Sequence, residues 1–347
     1  MQEIYQRIAK GEIAAGSKIF LPFEEYKVEL IEWHERLNRL VILYRRKDEK
    51  VIVAKILMEK RGLILEEILR ELHQYYFGLS AIGLPISTGI KFIEKLDSGY
   101  LVQLEDYGGR TVSVAIEGMS LEQAKPVIKA LLRDCISPLF RAVNGQGAYM
   151  LSIGLDAALR NFVFFQEADV VVRMIDLFPP KLWSPVGGYT IEKPEPTDET
   201  VRQLGIQRHF DLSVIILTLW MHIVRANPVL GLPAIRLFIQ FLRDTDQLEL
   251  GKQIVDLVGG LRPRLCFDSI TEIQGKVESL TFRDFHQLRT IACLLASSRK
   301  ESGPLLEEFF SITHFQSDPL SLEQIEEAKR LILRIAELPK NNDRAET

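Results

Sequence analysis

Four polar residues beside strand-like runs could together carry out phosphoryl transfer. Lys55 ends the apolar run VIVAK, Asp156 and Asn161 stand five positions apart in GLDAALRNFVFF, and Asp176 ends the run VVVRMID. Phosphoryl transfer needs a cation on the nucleotide phosphates, oxygen ligands for magnesium, and a carboxylate that orients or deprotonates the acceptor hydroxyl. The four residues offer these groups in suitable contexts.

The order of elements around Asn161 strengthens this interpretation. The residues after Asn161 predict a β-hairpin with the turn QEAD, and Asp176 ends its second strand. The hairpin brings an amide oxygen and a carboxylate to one rim, as a magnesium site requires. The D-x4-N spacing alone occurs about once by chance in a chain of this length. Two simpler alternatives stay open: Lys55 packs its stem at a strand edge, or the aspartates only cap turns.

The predicted helix after Lys55 offers a carboxylate that could pair with it. On a helical wheel Glu71 lies at the border of the apolar face, Glu67 lies one step further out, and Glu66 lies on the polar side. Glu71 is therefore the expected partner of Lys55, with Glu67 in reserve. The alternative is a solvated charge. The apolar face itself consists of Ile64, Leu65, Ile68, Leu69, Leu72, Tyr75 and Tyr76.

Elements that would position these residues divide the chain into two parts. Up to Glu105 the pattern is β, β, β, α, β, β, with strands over 26–33, 39–46, 51–57, 86–96 and 100–106 and a helix over 63–77. Beyond Gly108-Gly109 the chain is mostly helical. It has a helix over 121–144 that Pro138 kinks or ends, short strands at 150–154, 161–165 and 170–176, an irregular stretch over 179–196, and helices over 212–338.

This order predicts an α+β, two-lobed fold. Residues 1–106 form a small, mainly antiparallel β lobe with one helix, residues 107–340 form a larger helical lobe, and 341–347 form a frayed tail.

Composition and charge exclude several function classes. The 347 residues are 47% hydrophobic and 26% charged, which is typical of a soluble globular protein, and a net charge of -4 predicts no strong attraction to nucleic acid or membrane lipid. The three cysteines form no C-x-x-C pair, which fits a reducing, cytoplasmic setting. The apolar run 212–224 is shorter than the roughly 20 residues of a membrane span and predicts a buried core helix.

Lys55 in VIVAK, the loop GLDAALRNFVF and Asp176 in MIDLF resemble the protein-kinase-like superfamily. The branch of small-molecule phosphotransferases that includes aminoglycoside and choline kinases is nearest in look. The run His209-Phe210-Asp211, which opens the apolar helix 212–224, resembles the start of the superfamily's central buried helix, where an aspartate braces the catalytic loop. The resemblance covers about 26–225.

This resemblance implies a role for each matching residue. Lys55 would bind the ATP phosphates and Glu71 would orient it; Asp156 would be the catalytic carboxylate, with Asn161 and Asp176 as ligands of Mg2+. The backbone of Glu105, Asp106 and Tyr107 would bind the adenine. The acceptor would be a hydroxyl-bearing small molecule, which the sequence does not name.

Departures from the family pattern support a rival function. The segment 32–38 contains no glycine where the family has a glycine-rich loop, Gly154 and Leu155 replace the usual histidine and arginine, and Leu177-Phe178-Pro179 follow Asp176. These differences argue against an ordinary protein kinase. They leave open a catalytically silent pseudokinase that serves as a nucleotide-binding or partner-binding scaffold, or another nucleotide-dependent transfer such as adenylylation.

Overall fold

The structure is a computed structural model. It describes residues 18–21, 24–34, 39–45, 51–58, 64–95, 100–144, 149–166, 169–182, 198–257, 269–314 and 318–341. Several features named above lie outside these ranges: residues 35–38 of the glycine-free segment, most of the irregular stretch, and the tail beyond 341.

Within its described residues, the first part of the chain is a six-stranded antiparallel sheet accompanied by one helix. In the sheet the strand order is β1-β2-β3-β4-β6-β5. The elements are β1 (Lys18–Leu21), β2 (Glu24–His34), β3 (Arg39–Arg45), β4 (Val51–Met58), α1 (Leu65–Ala81), β5 (Lys91–Lys95) and β6 (Tyr100–Asp106). The predicted order β, β, β, α, β, β is therefore present, preceded by β1, which the sequence analysis did not identify.

Strand β5 is shorter than predicted. Gly89 has a φ of +70°, a turn conformation that glycine adopts without steric cost. Ile86 forms an isolated parallel bridge with Met174 instead of joining the sheet. The prediction of a strand from residue 86 was wrong because this segment turns between the sheet and the helical part.

The second part of the chain is mostly helical. Its elements are α2 (Val112–Ile116), α3 (Leu121–Leu131), β7 (Phe162–Gln166), β8 (Val170–Met174), α4 (Glu199–Phe210), α5 (Leu212–Ala226), α6 (Gly231–Asp244), α7 (Leu248–Leu257), α8 (Ile270–Glu278), α9 (Phe285–Ser297), α10 (Gly303–Ile312) and α11 (Leu322–Glu337). Helix α4 was not predicted. The hairpin β7–β8 was predicted, and its register pairs Phe162 with Met174.

The single helix predicted over 121–144 changes its geometry before Pro138. Helix α3 begins with a capping box between Ser120 and Gln123, then gives way to a π-helical turn at Leu132–Ile136 and a 3-10 segment at Ser137–Ala142. A proline lacks the backbone N–H and its ring crowds the carbonyl four residues earlier. The wider turn accommodates that crowding.

The predicted strand at 150–154 was also wrong. Met150, Leu151 and Ile153 make only isolated bridges, to Asp211, Val143 and Leu182. This segment is a loop, because each of these residues pairs with a different single residue and the segment does not pair with a continuous strand.

Helix α5 is buried along nearly its whole length and forms the centre of the helical part. The prediction of a core helix over 212–224 is confirmed. Among the described residues, no helix has the length and apolar character needed to cross a membrane. In the part of the chain that the structure describes, a small antiparallel sheet is followed by a larger helical part, which confirms the predicted α+β fold class with its two-lobed, kinase-like order of elements.

Candidate functional site

The loop that carries Asp156 is held by backbone hydrogen bonds to the segment before α5. Leu151 N donates to Phe210 O at 2.8 Å, and Leu155 N donates to His209 O at 2.9 Å. From the other side, Gly154 N donates to Lys181 O at 2.8 Å. The loop is therefore fixed at several points ahead of Asp156.

Gly154 stands where the resemblance leads one to expect histidine, and the packing explains the difference. A Cβ at this position would lie 2.4 Å from His209 O and 3.0 Å from the ring of Phe210. The Gly154 carbonyl in turn accepts a hydrogen bond of 2.9 Å from the hydroxyl of Tyr75, a fully buried residue of α1. A side chain at position 154 would push the loop off both supports.

Hydrogen bonds join Asn161 to Asp156 and to Ile175, the residue before Asp176. Asn161 Nδ2 donates to Asp156 O at 3.3 Å, and Ile175 N donates to Asn161 O at 2.9 Å. Asp156 Oδ1 accepts from Ala158 N at 3.3 Å, which keeps this carboxylate turned toward its own loop. The hairpin thus brings the end of β8 back beside the start of β7, as the sequence analysis expected.

Lys55 reaches this cluster from β4. Its Nζ lies 3.8 Å from Asp176 Oδ1 and donates a hydrogen bond to Ile175 O. The Lys55 side chain is 7% exposed, so its ammonium lies between the sheet and the loop and not in solvent. The alternative of a lysine packed at a strand edge does not describe this position.

The ion-pair partner predicted for Lys55 was wrong. Lys55 Nζ lies 2.6 Å from Glu105 Oε1, and among the described residues its ion pairs are with Glu105 and Asp176, not with Glu71 or the reserve Glu67. The reason is the register of the sheet. Val53 faces Glu105 and Lys55 faces Gln103 across β4 and β6, so Glu105 lies diagonally from Lys55 on the same face.

Glu71 is half-buried on α1, while Glu67 is exposed. Glu105 is 2% exposed and also accepts a hydrogen bond from Gln103 Nε2 at 3.3 Å. Burial raises the pKa of Glu105, and the neighbouring Lys55 ammonium only partly offsets that rise. The buried Glu105 carboxylate and the buried Lys55 ammonium therefore compensate each other's charge, and loss of either would leave the other uncompensated.

Asp156 is an ionised carboxylate in a positive environment. Burial would raise its pKa, but the positive charges around it, including Arg208, Lys181 and Arg160, outweigh burial and hold the pKa below the usual value. Burial lowers the pKa of His209 below its usual value, and Lys181 acts in the same direction. We therefore assign a neutral His209, with its Nδ1 3.4 Å from Leu155 O, beside an ionised Asp156.

Both aspartates of the cluster affect the pKa of the Tyr75 hydroxyl. Burial raises its pKa well above the usual value, and the negative charges of Asp156 and Asp176 raise it further. Tyr75 therefore stays protonated and donates to Gly154 O.

In the predicted adenine segment, two backbone N–H groups already have acceptors. Asp106 N donates to Thr88 O at 3.0 Å, and Tyr107 N donates to Val51 O at 3.1 Å. The Asp106 carboxylate accepts from Thr88 Oγ1 at 3.2 Å, and the Tyr107 side chain is 46% exposed. A base bound here would have to use other polar groups or displace these contacts, so the adenine role of Glu105, Asp106 and Tyr107 stays a prediction.

The bracing of the loop comes from backbone groups and not from the Asp211 carboxylate. Asp211 Oδ1 caps α5 by accepting from Ser213 N at 2.9 Å and from Val214 N at 3.4 Å. The peptide groups of 209–212 contact the loop instead. The resemblance placed the brace on the right segment but on the wrong atoms.

Two oxygen donors of the cluster fit a magnesium ion that also binds nucleotide phosphates. Asn161 is 4% exposed and uses its Nδ2 on Asp156 O, which leaves the amide oxygen on the other side of the group. Asp176 lies one residue after the hydrogen bond that joins Ile175 to Asn161. Across the described part of the chain there is no group of three or more His, Cys, Asp or Glu that could hold a metal. Magnesium commonly needs only one or two protein carboxylates because phosphates and water complete its shell.

Sequence reasoning missed Glu105 as the partner of Lys55 and Tyr75 as a support of the loop. Alternation along YLVQLED could have indicated that Gln103 and Glu105 share one face. Nothing in the sequence indicates that the Tyr75 hydroxyl meets Gly154 O, because the two residues lie 79 positions apart.

Comparison with known proteins adds little. No protein-family model matches the chain, and no curated protein matches it. Among solved structures, the crystal structure of the BubR1 kinase domain is similar at 10% sequence identity, with 64% of this chain and 71% of that chain covered and a TM-score of 0.39. At this TM-score the likeness does not bear on function, and the two-lobed α+β fold rests on the element order described above.

Proposed function

We propose that this chain is an ATP- and magnesium-dependent phosphotransferase that acts on a hydroxyl of a small-molecule acceptor. The observation that supports this proposal best is the convergence of Lys55 with the Asp156–Asn161 loop and Asp176. A cation, a magnesium-type oxygen pair and an ionised carboxylate are the groups that phosphoryl transfer requires.

Asn161 and Asp176 would hold the magnesium ion, and Lys55 would bind the nucleotide phosphates. The bound ion would neutralise charge on the phosphates during transfer. To contact a phosphate, the Lys55 ammonium would have to loosen its contact with Glu105, which lies 2.6 Å away. Nucleotide binding and the Lys55–Glu105 pair are therefore expected to compete.

Asp156 would orient the acceptor hydroxyl. Although burial acts to raise its pKa, the positive charges of Arg208, Lys181 and Arg160 hold that pKa below the usual value. The carboxylate is thus ionised at neutral pH but is a weak base. It would accept a hydrogen bond from the hydroxyl and take the proton only late in the transfer. Tyr75, through Gly154 O, would hold the loop in position.

Calorimetric titration with ATP, with and without magnesium, tests this proposal. Wild-type protein should bind ATP more tightly with magnesium, and Asp176→Ala should lose that dependence. Asp244→Ala serves as the control because Asp244 is exposed on α6 and its carboxylate accepts a hydrogen bond from Gln240, on the same helix. If millimolar ATP does not bind to the wild type, the proposal fails.

A catalytically silent scaffold is the second candidate, and the contacts of Lys55 favour it. Its ammonium is held by Glu105, Asp176 and Ile175 O, so the group expected to bind phosphate is already satisfied within the protein. The two N–H groups at Asp106 and Tyr107 are satisfied as well. These contacts, with the departures in sequence, describe a cleft closed by its own residues.

Glu105→Gln separates the two candidates. If ATP binding appears only after this substitution, the wild-type cleft is closed by its own ion pair and the silent scaffold is favoured. If the wild type binds ATP and transfers the label of γ-labelled ATP to an acceptor, the phosphotransferase is favoured.

A further inference from the structure

A cavity of about 330 Å³ lies directly behind the proposed catalytic loop. The loop contributes Ala158, Leu159 and Arg160 to its wall, and helix α5 contributes His222 and Arg225. Ala158 to Arg160 lie between Asp156 and Asn161 in the chain. A ligand in this cavity would therefore contact the same short loop that carries the proposed catalytic carboxylate.

Positive and negative side chains are equal in number at the wall itself. Two carboxylates line the cavity, Glu117 and Glu307. Glu307 is bound to Arg225, with Arg225 Nε donating to Oε2 at 2.7 Å, so these two charges compensate each other. Arg160 is exposed and forms no hydrogen bond or ion pair with any described residue. Arg160 and Glu117 are then the uncompensated charges at the wall.

Arg208 and Arg289 form a second layer of cations, which do not line the cavity but act through their charge on the wall residue His222. The Nε atoms of Arg208 and Arg289 are buried, and within the described ranges neither has a hydrogen-bond partner. Arg289 lies over the ring of Phe310 at 4.5 Å, and Arg225 lies over the same ring at 5.2 Å. Arg289 and the wall residue Arg225 thus share the ring of Phe310, and no carboxylate balances the charge of Arg289 among those contacts.

These cations lower the pKa of neighbouring groups. Burial, with the charges of Arg208 and Arg289, lowers the pKa of His222 to about 3, so this wall residue is neutral at pH 7. Burial and the charge of Arg208 lower the pKa of Arg289 to about 9. His286 on α9 behaves in the same way: burial and the two arginines lower its pKa to about 4. Buried cations without acceptors are costly unless a negative group compensates them.

We propose that this cavity binds the anionic group, a phosphate or a carboxylate, of a small-molecule ligand. Arg160 would contact the anion, and Arg208 and Arg289 would stabilise it through their charge from the second layer. Guanidinium groups suit both anions because their N–H groups match the spacing of two oxygens. The identity of the ligand rests on the proposed phosphotransferase function. If that function is correct, the ligand is the acceptor, and it carries a negative group in addition to its hydroxyl.

Titration with inorganic phosphate and with acetate, at constant ionic strength and without nucleotide, tests the site. Wild-type protein should bind at least one of them saturably, with a rise in Tm. Arg160→Gln and Arg208→Gln should each weaken binding about tenfold or more, since each removes a charged partner of the anion. Arg202→Gln is the matched control, because Arg202 also lies on α4 but pairs with Glu199 at 2.9 Å.

The outcomes separate this inference from the proposed function. Absence of saturable binding, or equal binding by all four proteins, would overturn it. Arg160 is exposed, so the Arg160→Gln result stands even if Arg208→Gln does not fold. Competition by magnesium-ATP would assign the anion to the nucleotide and overturn a separate acceptor site. Anion binding by a protein that does not bind ATP would support the site while refuting the phosphotransferase.

Discussion

Replacing Lys55 with methionine removes the cation that compensates the buried Glu105 carboxylate. The side chains of Lys55 and Glu105 are 7% and 2% exposed, and their charged atoms are 2.6 Å apart. Removing one partner of such a buried pair costs about 3–5 kcal/mol, a large share of the ~5–15 kcal/mol that stabilises a typical domain. We expect Lys55→Met to lower the free energy of unfolding by this amount near neutral pH, as measured by urea denaturation followed by circular dichroism.

The cost should depend on pH in a defined direction. Burial raises the pKa of Glu105, and Lys55 is the largest effect that opposes the rise. Without Lys55 the folded pKa rises further above the unfolded value near 4.5. The unfolded state then binds fewer protons than the folded state, so stability is fully present below the unfolded pKa and is lost as pH rises through the folded pKa. The difference between Lys55→Met and wild type should therefore shrink as pH falls toward 4.5.

Two further variants make the prediction refutable. Lys55→Met combined with Glu105→Leu should recover most of the loss, because apolar side chains in place of a buried ion pair are often neutral or stabilising. Lys91→Met, at an exposed position of β5, should change stability by less than about 0.5 kcal/mol. A Lys55→Met protein as stable as Lys91→Met, or a loss that does not vary with pH, would refute the claim that Lys55 compensates Glu105.

Three other variants probe the loop and its surroundings. Asp156→Asn should abolish phosphoryl transfer while the protein stays folded by circular dichroism; full turnover would remove Asp156 from the mechanism. Gly154→Ala should cost about 1–3 kcal/mol in urea denaturation, because its Cβ would lie 2.4 Å from a backbone oxygen, whereas Gly118→Ala, with no atom within 4 Å, should not. Asp134→Ala should cost about 1–3 kcal/mol by leaving the buried N–H of Val172, now 2.9 Å from its carboxylate, without an acceptor; an unchanged urea midpoint would contradict this.

Local patterns in the sequence were sufficient where a residue's neighbours in the chain decide its structure. Short β-type runs predicted β3, β4 and β6, and the turn QEAD between two apolar runs predicted the β7–β8 hairpin. The uninterrupted apolar run predicted that α5 is a buried core helix. The same patterns failed at 150–154, where an apolar stretch makes only isolated bridges, because strand formation depends on a partner elsewhere in the chain.

In the candidate site, too, some features follow from the local sequence and others only from the tertiary structure. The sequence alone determined that an aspartate, an asparagine and a second aspartate flank one hairpin, because a hairpin returns the chain to its starting point. Only the tertiary structure decided that Lys55 pairs with Glu105 and not with Glu71, since this choice depends on the register of β4 against β6. The cations behind the loop lie on α4 and α9, about 80 residues apart, and a charge acts through space and not along the chain.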